Sequence, residues 1–196
     1  MAMQNRVIRS SNGREPGGTG NSRFALFIFL GSYALVFVTL AIVVINLRRV
    51  SFDWPPAGVP PLALWKGALV TLILLVSSLT LHVTLHAARQ GNQPRAQRLL
   101  LVTVLLGLLF LVGQIYQFAT AGMTIQSGAY GAVFFTMAGF HAVHIIIGLA
   151  LLVRLLNDLR RAPASAATLS ATPAAATVWH FLDLMWLPFF IVLYLL

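Results

Sequence analysis

Six ionisable side chains fall inside otherwise uncharged, apolar stretches of this 196-residue chain, and they come in three pairs. His82 and His86 are four residues apart; His141 and His144, and likewise His180 and Asp183, are three apart. On a helix each of these spacings puts both members on one face. Two imidazoles on one face are raw material for haem or metal ligation if a second helix brings partners. An imidazole next to a carboxylate can share a proton or satisfy a hydrogen bond inside a bundle. Hydrogen bonding to a neighbouring helix is the commoner use of an intramembrane histidine, because an unpaired ionisable group in hydrocarbon is expensive. Other chemistries are excluded. With no cysteine, disulfides, thiolate metal sites and C-x-x-C-H haem attachment drop out. There is no phosphate loop, no recognisable Ser/His/Asp pattern and no pair of carboxylates. One well-embedded acid, Asp183, is scant equipment for an autonomous proton pump or ion-coupled transporter.

The elements that must carry these residues are membrane helices. Hydrophobic types make up 59% of the chain and charged types 9%, against roughly a quarter charged in a soluble domain. That balance, with a mean hydropathy of +0.87, excludes an ordinary soluble enzyme and a disordered chain. The fold class is all-α and polytopic. Five spans are predicted at about 24–47, 67–88, 99–120, 128–155 and 177–196, forming one transmembrane domain over 24–196. The uncharged run 99–153 is divided by the turn-forming stretch from Thr120 to Gly128. Residues 1–23, rich in Arg, Gly and Ser and lacking an apolar core, read as a disordered basic tail rather than a secretory signal. The Ala/Ser/Thr/Pro-rich segment 159–176 reads as a flexible loop.

A net charge of +9 can point to nucleic acid. Here the basic residues form no face or stripe but short clusters between spans, so nucleic acid is excluded as a partner. Ten of the thirteen Lys and Arg fall in the tail and in the loops after spans 2 and 4; Arg48, Arg49 and Lys66 fall on the other side. This bias predicts a cytoplasmic N-terminus and a periplasmic C-terminus. Counting inward from the charged ends at 1.5 Å per residue, His82 and Asp183 lie about 10 Å deep and His144 about 15 Å, with His141 near the midplane. His82, His141, His144, His180 and Asp183 are therefore expected to form a polar cluster in the cytoplasmic half, with Asp183 accepting a hydrogen bond from a histidine. Gly131, Ala138 and Ala142, with Gly128 and Ala132, predict close packing of span 4 against a neighbour. Pro188 predicts a local bend in span 5. Trp54, Trp65 and Trp179 stand at predicted helix edges, where interfacial anchors belong.

Two blocks resemble a known family. Gly128-Ala129-Tyr130-Gly131-Ala132-Val133-Phe134-Phe135 leads into Gly139-Phe140-His141-Ala142-Val143-His144, and Trp179-His180-Phe181-Leu182-Asp183-Leu184-Met185-Trp186 follows in the last span. Together they resemble subunit III of the haem–copper oxidases, in its short five-helix bacterial form. Weaker echoes are Asp53-Trp54-Pro55-Pro56 and Gly113-Gln114-Ile115-Tyr116. The resemblance implies an accessory, non-catalytic subunit that binds neither haem nor copper. Those cofactors would reside in subunits I and II, the expected partners, which reduce oxygen with electrons from cytochrome c or quinol and pump protons. It implies phospholipid ordered beside the catalytic subunit near its proton and oxygen entry region, in a bacterial inner membrane. His141, His144, His180 and Asp183 become bundle-bonding positions; Trp54, Trp179, Trp186, Tyr33 and Gln117 are assigned to contacts with lipid or a partner subunit. The chain departs from the family where Tyr33 and Gln117 replace two common carboxylates. That divergence also suits a nitric-oxide-reductase-associated homologue. The intramembrane histidines alone would suit a membrane cytochrome with His-ligated haem.

Overall fold

The structure, a computed structural model, describes residues 18–161 and 166–195. It contains five α-helices: α1 Gly18–Val50, α2 Leu64–Arg89, α3 Gln93–Ala119, α4 Gly128–Arg161 and α5 Ala166–Phe190, the last running into a π-helical turn at Ile191–Leu195. Among the described residues there is no strand. Each helix carries an apolar span of 24 to 34 residues, enough to cross about 30 Å of hydrocarbon.

Local sequence explains the boundaries. Gly91, in the left-handed region at φ 73°, ends the turn after α2. Asn92 then caps α3, its Oδ1 accepting the Arg95 N–H at 3.2 Å, with Pro94 in the first turn. Ahead of α4 the Ser127 hydroxyl accepts the Thr124 N–H at 2.9 Å, and Gly128 takes φ 75°. Boundaries differ from the sequence reading in three regions, the first being α3, which begins at Gln93 rather than near 99. Residues 1–17 of the expected tail lie outside the described residues, and from Gly18 the chain is already helical. Of the expected loop 159–176, residues 162–165 lie outside the described residues, while α4 runs to Arg161 and α5 starts at Ala166. That segment has little apolar signal but much alanine, the strongest helix former.

Cross-helix bonds fix the topology. Thr80 Oγ1 meets Thr103 Oγ1 at 2.9 Å, and Lys66 Nζ donates to Thr120 Oγ1 at 2.9 Å, so α2 and α3 run antiparallel. Gln97 Nε2 donates to the Leu159 carbonyl at 2.9 Å, joining the start of α3 to the end of α4. The indoles of Trp179 and Trp186 reach Ser77 and Thr71, so α5 lies antiparallel to α2. One end of the bundle therefore gathers the loop after α2, the end of α4 and the start of α5. The opposite end gathers the 51–63 loop, the 120–127 loop and Tyr194. α5 sits between α1, α2 and α4. α1 leans on α4 and α5 through one buried row, Leu30, Phe37 and Val44, spaced by seven.

Close approach uses glycines other than those expected. A methyl group added at Gly107 would lie 2.7 Å from the Trp179 ring and 2.8 Å from Leu149; one at Gly148 would lie 2.9 Å from Leu182 and 3.1 Å from Trp179. The two glycines thus line a slot for the Trp179 indole. Gly131 faces its own loop instead, where a methyl would collide with the Thr124 carbonyl.

Candidate functional site

The polar groups of the spans are arranged mostly along the seam of α2 and α5. Trp179 Nε1 donates to Ser77 Oγ at 3.1 Å, and that hydroxyl donates to the Leu74 carbonyl at 2.6 Å. One level along, Trp186 Nε1 donates to Thr71 Oγ1 at 2.8 Å, and Thr71 donates to the Gly67 carbonyl at 2.8 Å. Each hydroxyl gives its proton to its own helix backbone and keeps a lone pair for an indole across the interface, so both groups are satisfied without water.

Near the start of the seam, Ser78 Oγ lies 2.5 Å from His180 Nδ1. Asp183 Oδ2 is 3.9 Å from that same nitrogen, a contact beyond hydrogen-bond distance. The expected histidine–Asp183 hydrogen bond is therefore replaced by a serine–histidine one. Ser78 and Asp183 address one ring nitrogen, so the trio cannot work as a nucleophilic relay, which needs the base held at one nitrogen and the hydroxyl at the other. Asp183 is 5% exposed and neither carboxylate oxygen has a hydrogen-bond partner among the described residues.

His141 is fully buried, with both ring nitrogens unpartnered among the described residues. Trp186, Phe110, Phe37 and Phe189 surround it, with ring centroids at 4.9, 5.8, 6.4 and 6.4 Å. His144 Nδ1 donates to the Phe140 carbonyl at 2.6 Å, and its ring packs edge-on to Tyr33 at 4.4 Å. The Tyr33 hydroxyl is buried without a hydrogen-bond partner, and Gln117 accepts the Tyr194 hydroxyl proton. Among the described residues no group of three or more His, Cys, Asp or Glu is placed to hold a metal ion.

The expected cluster is thus only partly assembled. His180 and Asp183 come together with Ser78, while His141 and His144 lie further along, against α1 and α5. His82 is not in the interior: it stands with His86 on the exposed face of α2, because an i,i+4 spacing states that two residues share a face but not which way it points. Trp179 and Trp186, assigned from sequence to lipid or partner contacts, are 0% and 1% exposed and are core residues of the bundle. Trp179 looked like a helix edge only because the start of α5 was placed eleven residues late. Gln117 is likewise buried, whereas Trp54 and Tyr33 are half-buried. Sequence reasoning missed Thr71, Ser77 and Ser78 as acceptors and bond partners. The available signal was a run of hydroxyl residues in an otherwise apolar span.

The fold and interior define a multi-pass helical membrane protein in which indole–hydroxyl and serine–histidine contacts tie α2 to α5. A family model described as cytochrome c oxidase subunit III matches residues 19–196. Among curated proteins the chain is 33% identical over 172 residues to the probable cytochrome c oxidase subunit 3 of Mycobacterium leprae, covering 86% of this chain and 81% of that one. It is 30% identical over 174 residues to cytochrome c oxidase subunit 3 of Synechocystis, covering 88% and 75%. The subunit 3 of the elephant Loxodonta africana is 36% identical over 142 residues, 72% of this chain and 54% of that one. The chain belongs to the cytochrome c oxidase subunit III family, as the two motif blocks imply.

Proposed function

We propose that this chain is the accessory, non-catalytic third subunit of an oxygen-reducing terminal oxidase in a bacterial inner membrane, with its N-terminus in the cytoplasm and its C-terminus in the periplasm. It stabilises the catalytic subunit I in a complex with subunit II, and haem and copper belong to those partners. It orders phospholipid beside subunit I near the region where protons and oxygen enter. The observation that carries this reading is the division of labour between interior and perimeter. Inside, hydroxyls, indoles and histidines are engaged in packing and hydrogen bonding. Outside, α1 presents Phe24, Phe27 and Leu35 at 66, 63 and 67% exposure, a broad apolar surface suited to lipid and to another membrane subunit.

An affinity-tagged copy, extracted in mild detergent, tests the reading. The expected eluate holds a haem–copper catalytic subunit with its reduced-minus-oxidised absorbance bands, and phospholipid retained in fixed ratio. A tagged chain recovered from membranes without any catalytic oxidase subunit would sink the proposal.

A further inference from the structure

The last two turns of α2 carry two imidazoles turned outward. His82 and His86 are both exposed, on the face opposite the buried residues Leu81, Thr84 and Ala87. Their i,i+4 spacing brings the two Cβ atoms within about 5–6 Å of each other. With this spacing one helix can present two imidazoles to a single zinc ion, at Zn–N distances of about 2.0–2.1 Å. The chain has 5 histidines in all, and the other three are engaged elsewhere. His141 is enclosed, His144 donates to the Phe140 carbonyl, and Ser78 holds Nδ1 of His180. Asp183, the acid beside His180, has both carboxylate oxygens buried out of reach of a solvated ion.

The state of the two rings suits a metal ligand. Gln90, one turn beyond His86 and likewise exposed, places its amide nitrogen 3.0 Å from His86 Nε2. An amide nitrogen can only donate, so that ring nitrogen carries a lone pair rather than a proton. A metal ion would take up the same lone pair from the same exposed side. His82 has no hydrogen-bond partner among the described residues, so no bond has to be broken at its ring. α2 ends at Arg89, which puts His82 about 10 Å from the helix end and leaves the pair open to water there. α2 contains no Asp or Glu, so the protein supplies imidazole and no carboxylate. Imidazole suits zinc, nickel and copper ions, whereas magnesium and calcium demand oxygen ligands.

We propose that His82 and His86 form a two-imidazole chelate on the outer face of α2 for one divalent ion of the zinc type, its remaining positions filled by water. The site rests on α2 alone and is independent of the oxidase reading. The purified full chain, free of any polyhistidine tag, is titrated with zinc chloride in a neutral maltoside detergent by isothermal calorimetry. One zinc ion binds per chain, and excess magnesium leaves the titration unchanged. His82→Ala and His86→Ala each weaken binding tenfold or more, because a chelate needs both rings. His180→Asn, away from the pair, titrates as the unaltered chain does. Absence of saturable one-to-one binding overturns the site. So does either alanine variant that binds as the unaltered chain does, competition by magnesium, or equal weakening by His180→Asn. Should a variant fail to fold, X-ray absorption at the zinc edge of the unaltered, zinc-loaded chain decides: two imidazoles around the metal support the chelate, and any other number overturns it.

Discussion

α1 and α5 are both long apolar helices, yet they are held in opposite ways. α5 lies between three helices, with Trp179 in a slot between Gly107 and Gly148 and two indole-to-hydroxyl bonds to α2. α1 touches the bundle mainly through aromatic packing, Phe37 against Phe140 and Phe189 with ring centroids 5.6 and 5.0 Å away and Tyr33 against His144 at 4.4 Å. In a bilayer apolar area alone does not drive helices together, since lipid tails are as apolar as leucine. Shape fit and hydrogen bonds must do it, and α5 has both where α1 has shape fit alone. The contrast teaches that apolar character does not decide how firmly a helix is held: both helices are long and apolar enough to cross a membrane.

The comparison can be broken most directly at Trp179. Trp179→Ala empties the glycine-lined slot and leaves Ser77 without its donor, with an expected loss of ~3–5 kcal/mol in global stability. Unfolding of the purified chain in mixed micelles of maltoside and SDS measures it. Phe37→Ala should instead act locally. Amide hydrogen exchange should quicken tenfold or more in α1, while the unfolding free energy of α2–α5 falls by under ~1 kcal/mol. A global loss equal to that of Trp179→Ala would erase the distinction. Gly107→Ala adds a methyl 2.7 Å from the indole, and overpacking of this kind costs ~1–3 kcal/mol, read in the same micelle titration. Ser77→Ala removes one acceptor and should cost ~0.6–1.7 kcal/mol, the range for hydrogen bonds between membrane helices; a cycle with Trp179→Phe isolates the pair. Tyr33→Phe is expected to be smallest. Its hydroxyl has no hydrogen-bond partner among the described residues, so deletion should be neutral within ~0.5 kcal/mol or slightly stabilising. A larger loss would mean that α1 has a polar attachment after all.

Much of this architecture was legible in the residues. Three uncharged runs, the longest divided at a turn, and a last apolar span holding Asp183 pointed to five helices, because span length is set by the bilayer and charge marks its limits. The motif blocks gave the family. The beginning of α5 was hidden, since Ala and Thr between two prolines announce neither apolar span nor firm loop. Facing direction was hidden as well. His82 and His141 look alike as intramembrane histidines, but one is exposed and the other enclosed by four aromatic rings. Spacing reports what shares a face; only packing against other helices decides where that face turns. For the same reason Gly131 was read as a helix contact when its role is to let α4 start against the Thr124 carbonyl, and Gly107 drew no notice.

The placement of the four tryptophans makes the chain its own optical gauge. Trp179 and Trp186 lie inside with their indole N–H groups engaged, whereas Trp65 is 65% exposed and Trp54 is half-buried, both at the far end of the bundle. Emission should therefore divide into a sheltered population that reports whether α5 is docked and an accessible one that reports what bathes the rim. Brominated acyl chains or aqueous iodide will quench the second and spare the first, until α5 comes loose.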